Sequence, residues 1–159
     1  MMPSTHSCLL MHVVFSTKNR FKLLREEWRS DLFAYIGALV HDHKAVLLDA
    51  GGIEDHIHLQ VRYNPNFAVA DTVRLVKSNS SRWINEQRKI KAKFEWQKGY
   101  GVFSVSQSNR ESVSQYIRNQ REHHAKQTFE EEYFQMLELH QIEFKPDFVF
   151  DEEVFGSID

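Results

Sequence analysis

Two histidines separated by a single residue, His56-Ile57-His58, are the first feature of this 159-residue chain that could do chemistry. They open the run 56–63 (HIHLQVRY), which is short and partly β-branched and so reads as a strand. Side chains alternate along a strand, so Glu54, His56, His58, Gln60 and Arg62 share one face while Ile57, Leu59, Val61 and Tyr63 share the other. The apolar face can bury against helices. The polar face then carries two imidazoles side by side, and both can aim a ring nitrogen at one divalent ion. The plainer alternative is a half-exposed polar pair.

A second constellation lies further on. Tyr116 and Gln120 are one helical turn apart on the same face. A hydroxyl and an amide oxygen so placed suit a nucleophile and a third metal ligand. Tyrosine, with a pKa of about 10, is a poor nucleophile at neutral pH. A phosphodiester polarised by a bound cation demands less of it. Alone, Tyr116 reads first as a packing residue with a satisfied hydroxyl. Its neighbours Gln115, Arg118, Asn119 and Arg121 are polar, however, which is unusual for a helix that only covers a core. One of His123 and His124 could lie one turn beyond Gln120 on the same side, near a metal or DNA, but a structural or solvating role is the preferred reading of both. His12 is a weaker candidate for facing the site, and Trp28, Trp83 and the phenylalanines read as core.

The elements that would position these groups follow from periodicity. Residues 8–15 (CLLMHVVF) read as a strand leaving into the polar STKNR loop. Trp28, Leu32, Tyr35, Ile36 and Leu39 mark a helix over 25–42. Residues 44–50 and 56–63 read as two strands, with GGIED between them as a hairpin turn. A helix is predicted over 68–87, a basic linker over 88–93 and a fourth strand over 100–106. Ser108 and Glu111 form a capping-box pattern that predicts a helix from 109 to 126. The order β-α-β-β-α-β-α points to an α+β, ferredoxin-like sandwich (RRM-like), a four-stranded antiparallel sheet. Helices 25–42 and 68–87 would cover one face and leave the other open. Phe129, Tyr133, Met136, Leu137 and His140 fit a short amphipathic helix. The tail IEFKPDFVFDEEVF reads as a strap docked on the body or on a second subunit.

Composition bounds the rest. Hydrophobic residues make 42% and charged residues 26%, which indicates neither a disordered chain nor a membrane protein. The length suits one domain with a real core. The sole cysteine, Cys8, excludes an internal disulfide and fits a reducing cytoplasm. A secretory signal is not indicated, because residues 1–17 lack a positive start and His6 and His12 interrupt the apolar run. The net charge of −2 conceals an asymmetry. Residues 1–129 hold 19 Lys and Arg against 12 Asp and Glu, a net +7, while 130–159 hold one Lys against 10 acids, a net −9. The division suggests a basic body over 1–129 that meets a polyanion, and an acidic C-terminal extension over 130–159.

Taken together, HVVFSTKNR (12–20), DHIHLQV (55–61), VRLVKSNSSRWIN (73–85), WQKGYGVFSVS (96–106) and SVSQYIRNQREHH (112–124) carry a resemblance. The chain resembles the single-tyrosine HUH transposases, the IS-two-hundred-like group of small insertion sequences, over roughly residues 6–128. The resemblance implies the ferredoxin-like sheet already read from periodicity. It implies that His56, His58 and Gln120 hold Mg2+ or Mn2+ and that Tyr116 is the nucleophile. Asp55 would add negative charge beside the first histidine. Cleavage of single-stranded DNA would then proceed through a 5′-phosphotyrosine link and a free 3′-OH, without ATP or a redox cofactor. The resemblance further implies a homodimer, with active sites shared between subunits in some members, and recognition of hairpins at the element's ends. The strand over 100–106 is a plausible dimer edge. Lys18, Arg20, Lys22, Arg74, Lys77 and Arg82 are candidate DNA contacts, which would make binding fall with salt.

Two other functions fit the same residues. One keeps the chemistry without the mobility: a domesticated nuclease acting on repetitive palindromes, or a replication-initiation type HUH nuclease. The other is a non-enzymatic nucleic-acid binder that uses its open sheet face, although such modules place aromatics where this strand places histidines. The acidic segment, lying outside the motifs, reads as an accessory strap that limits non-specific DNA binding.

Overall fold

Four strands form one antiparallel sheet in the order β2-β3-β1-β4, with β1 at Leu10–Ser16, β2 at Val46–Ile53, β3 at His56–Arg62 and β4 at Gly101–Val105. The structure is a computed structural model and describes residues 4–150. Two helices cross between strands, α1 at Glu26–Val40 and α2 at Val69–Glu86. The connectivity is the ferredoxin-like α+β sandwich expected from the periodicities. No helix among the described residues is long and apolar enough to cross a membrane.

Alternation in the central strands builds two cores. Val13 and Phe15 of β1 and Ile57, Leu59 and Val61 of β3 face α1 and α2, where they pack with Leu32, Ile36, Val73, Val76 and Ile84. Tyr35 stacks on Trp83 at 5.4 Å between centroids, and Trp28 packs on the same ring. The opposite face carries His12, Val14, His56 and His58. It is not open. Three further helices cover it: α3 at Arg110–Arg118, α4 at Gln120–His124 and α5 at Phe129–Leu139. A second core there joins Val14 and Phe103 to Phe129, Tyr133, Met136, Leu137 and Phe150. Phe144 and Val149 of the tail pack against it, so the strap docks on its own body. The remainder of the tail, 151–159, lies outside the described residues.

Three local expectations are corrected. The double glycine is not the turn: Gly51 and Gly52 continue β2, and the hairpin closes at Glu54-Asp55. Gly51 instead admits a helix, since a Cβ there would lie 2.1 Å from the Ile117 carbonyl oxygen of α3. The capping box does not form, because Ser108 sits within a 3-10 turn bonded to Ser106, and Glu111 pairs with Arg118 at 3.0 Å. The helix expected over 109–126 breaks at Asn119, whose φ of −98° and ψ of 28° separate α3 from α4. The amphipathic stripe expected after 127 is α5. It starts at Phe129, so a boundary at residue 129 falls in its first turn.

Candidate active site

Strand β3 lies second in the sheet with a partner on each side, so its backbone is fixed and its imidazoles are aimed rigidly. His56 and His58 are both fully buried beneath α3, α4 and α5. The kink at Asn119 turns α4 so that Gln120 and His124 face them. Gln120 donates its Nε2 to the Tyr116 carbonyl oxygen at 3.2 Å, which directs its Oε1 toward the imidazoles. That oxygen lies 2.9 Å from His56 Nε2 and 3.1 Å from His124 Nε2.

The fifth member comes from α5. Glu132 is buried, and its Oε1 lies 3.0 Å from His58 Nε2, 3.1 Å from His124 Nε2 and 3.4 Å from His56 Nε2. Its other oxygen accepts a hydrogen bond from the Tyr116 hydroxyl. One ligand atom from each of His56, His58, His124 and Glu132 lies within 4.8 Å of the others, a group able to hold a metal ion. The donor set fits such an ion chemically as well. Each imidazole presents Nε2 inward while its Nδ1 has another partner at 2.7 Å: Asp55 Oδ1 for His56, His12 Nε2 for His58 and the Gln127 carbonyl for His124. Outer partners of this kind fix ring orientation and tautomer in metal sites.

The electrostatics follow from burial set against these contacts. For His56, burial opposes protonation, but the hydrogen bonds to Asp55 and Glu132 outweigh it and raise the pKa to about 9. For His58, burial wins and pushes the pKa down to about 4. His12 is also held well below the usual histidine range, by burial and then by His58. Burial would raise the Glu132 carboxyl, yet hydrogen bonds from His124, His56 and His58 hold it far below the carboxylate range. Tyr116 is raised, first by burial and then by the Glu132 charge, so its phenol is a proton donor here.

His56, His58, Gln120 and Tyr116 are thus brought together within one chain. His124 takes the less favoured of its two sequence readings: it lies one turn beyond Gln120 and joins the cluster rather than solvating the surface, because the kink rotates it inward. His123 packs its ring 4.4 Å from that of Tyr116. Glu132 was missed. Its signal was an acid on the apolar stripe of α5, one turn from both Phe129 and Met136, where a buried carboxylate requires partners.

The candidate DNA contacts are scattered over the surface, and several are already engaged. Lys18 pairs with Glu95 at 3.2 Å, Arg20 with Glu130 at 3.2 Å and Arg74 with Asp71 at 2.9 Å. Lys77 donates to the carbonyls of Gln97, Lys98 and Gly99 and so holds the loop before β4. Arg82 bonds Asn79, and Lys22 is exposed.

Comparisons with known proteins agree with this architecture. The chain is 28% identical over 116 residues to the transposase for insertion sequence element IS200 of Salmonella typhimurium, covering 70% of this chain and 76% of that protein. The Salmonella typhi transposase for the same element matches equally. A crystallised transposase candidate from Deinococcus radiodurans R1 superposes with a TM-score of 0.60 at 24% identity, over 76% of this chain and 96% of that one. A REP-associated tyrosine transposase bound to a REP hairpin superposes with a TM-score of 0.54 at 13% identity, over 74% and 70%. Both show the shared fold. The family model of the IS200-like transposases matches residues 5–120, and this chain belongs to that family of DNA-cleaving transposases.

Proposed function

We propose that this transposase cleaves and rejoins single-stranded DNA at hairpin-bearing ends, with Tyr116 as nucleophile and a divalent cation bound by His56, His58 and Gln120 together with His124 and Glu132. The observation that carries the reading is the shared carboxylate: Glu132 accepts from the Tyr116 hydroxyl with one oxygen and meets three imidazoles with the other. A bound cation would orient the scissile phosphate and neutralise charge building on its non-bridging oxygens. Three imidazoles with two oxygens favour Mn2+ over Mg2+, because Mg2+ prefers an all-oxygen octahedron.

The chain's own residues divide the work. Glu132 orients the Tyr116 hydroxyl and takes its proton at Oε2 as the tyrosyl oxygen bonds to phosphorus. The phosphorus–O3′ bond breaks, and the departing 3′ oxygen takes a proton from solvent, leaving a 5′-phosphotyrosine and a 3′-OH. The imidazoles make Glu132 a firm acceptor but a weak base, so the phenol proton moves late, as the new bond forms. His56, His58 and Gln120 hold their positions through Asp55, His12 and the Tyr116 carbonyl. Attack by a second 3′-OH on the tyrosyl phosphate reverses the chemistry and rejoins strands.

The catalytic unit in this reading runs through α5, and the acidic extension follows it. Assembly as a homodimer through the β4 edge, and action in the cytoplasm, belong to the same proposal. The test is incubation with hairpin-bearing single-stranded DNA and Mn2+, followed by denaturing electrophoresis. A covalent protein–DNA adduct that disappears in Tyr116→Phe is expected. Absence of any adduct with the wild-type chain would reject the reading.

A further inference from the structure

Beside the Tyr116 side chain lies a cavity that the chemistry above leaves unused. It has a volume of about 540 Å3 and opens between α3 and α5 over strand β4. Tyr116 and Glu132 form part of its wall, so it is continuous with the site. His12, which holds His58 Nδ1 at 2.7 Å, lines it too.

The other walls are of two kinds. Phe103, Val113, Met136 and Leu139 are apolar, and Leu139 is left 79% exposed. Asn109, Gln135 and His140 are polar. The His140 ring lies 4.4 Å from that of Phe103. Its Nδ1 donates to the Met136 carbonyl at 2.8 Å, which leaves Nε2 as an acceptor. Asn109 is the N-cap of α3, yet its side chain caps no helix N–H, so its amide keeps both a donor and an acceptor. Apolar walls with a few polar groups beside them suit a heteroaromatic ring, which has an apolar face and a polar edge.

We propose that this cavity receives one unstacked nucleobase, that of the nucleotide adjoining the phosphate at Tyr116, and discriminates among bases there. The inference rests on Tyr116 as the nucleophile, since that is what brings a nucleotide to the mouth of the cavity. The volume lies within the roughly 300–1,000 Å3 of small-molecule sites, which admits a base and excludes a duplex. Apolar contact with Phe103 and Leu139 would replace the lost stacking. Asn109 and His140 would read the base edge, where an unmatched polar group is costly.

The test uses the full chain in chelator, so that no cleavage intervenes. Binding of four pentanucleotides, TTATT, TTCTT, TTGTT and TTTTT, is measured by fluorescence anisotropy. One central base is expected to bind at least threefold more tightly than the rest. Val113→Trp, which fills the cavity, should level the four affinities. Asn109→Ala should change the preference at least threefold, and because Asn109 is exposed it decides the matter if Val113→Trp fails to fold. Equal binding of all four by wild type, or a preference unchanged in the folded variants, overturns the proposal. The adduct assay separates the two readings. A base preference without adduct keeps the pocket and rejects cleavage, and an adduct without preference does the reverse.

Discussion

Tyr116 and Glu132 are joined by a direct hydrogen bond, although one stands on the helix after β4 and the other on a helix beyond the matched family region. The phenol and three imidazoles therefore depend on the same carboxylate. Glu132→Gln keeps the shape and removes the charge. It should weaken Mn2+ binding by more than the roughly 10–100-fold that loss of an outer partner of a metal ligand costs, because Glu132 is itself proposed to hold the ion. Titration calorimetry of the folded variant measures this directly, and Mn2+ affinity equal to wild type would show that Glu132 is not part of the ion's surroundings.

Gly51 sets the height of α3 over the sheet. A Cβ there would lie 2.1 Å from the Ile117 carbonyl oxygen, which is rigid backbone, so Gly51→Ala must lift the helix that carries Tyr116. Overpacking of this kind costs about 1–3 kcal/mol. Chemical denaturation should show that loss, and adduct formation should fall more than tenfold in protein that remains folded. Full activity in Gly51→Ala would mean that the placement of α3 is not critical.

The acid–base behaviour of the chelated protein has a definite sign. His56 has a folded pKa of about 9, above the ordinary value of 6.5. Its contribution to stability is complete below pH 6.5 and is lost as pH rises toward 9. At about 1.4 kcal/mol per unit, the loss is on the order of 3 kcal/mol. His58, held to about 4, acts oppositely: its contribution is complete above pH 6.5 and lost as pH falls toward 4. Thermal melts in chelator should therefore decline on both sides of neutrality, and His56→Gln should flatten the alkaline side only.

Tyr116 meets the histidines of its own chain. Mixing Tyr116→Phe with His58→Ala subunits should consequently restore no activity beyond either variant alone. The measurement is adduct yield in mixtures whose co-assembly is verified by tagged pull-down. Recovery would show that the tyrosine helix crosses to a partner subunit.

Residues 151–159 carry four acids and no base. Ending the chain at Phe150 retains the aromatic core beneath α5 and removes this charge. Non-specific affinity for single-stranded DNA should rise several-fold at low salt, with the gain shrinking as salt screens it. Unchanged affinity at low salt would assign these acids no such role.

The four strands, α1, α2 and the pairing of His56 with His58 were legible because periods of two and of 3.6 are written directly in residue order. Tyr116 with Gln120 was legible from spacing, and their meaning came from resemblance. What sequence could not supply were contacts that depend on distant backbone. Gly51 reads as a turn residue in the sequence, and only the fold sets the Ile117 backbone against it. His124 read as solvating because the break at Asn119, where backbone bonds to Gln115 and Tyr116 close the turn, has no signature of its own. Glu132 lies in a segment whose net charge suggests an accessory acidic strap outside the site. Residue order determined the sheet, its crossing helices and the two motifs, since each depends on near neighbours. Only the tertiary structure decided that the histidine face is covered and that a carboxylate from α5 links Tyr116 to the imidazoles. Burying a charge is tolerable only where partners converge on it, and that convergence is a property of the folded chain.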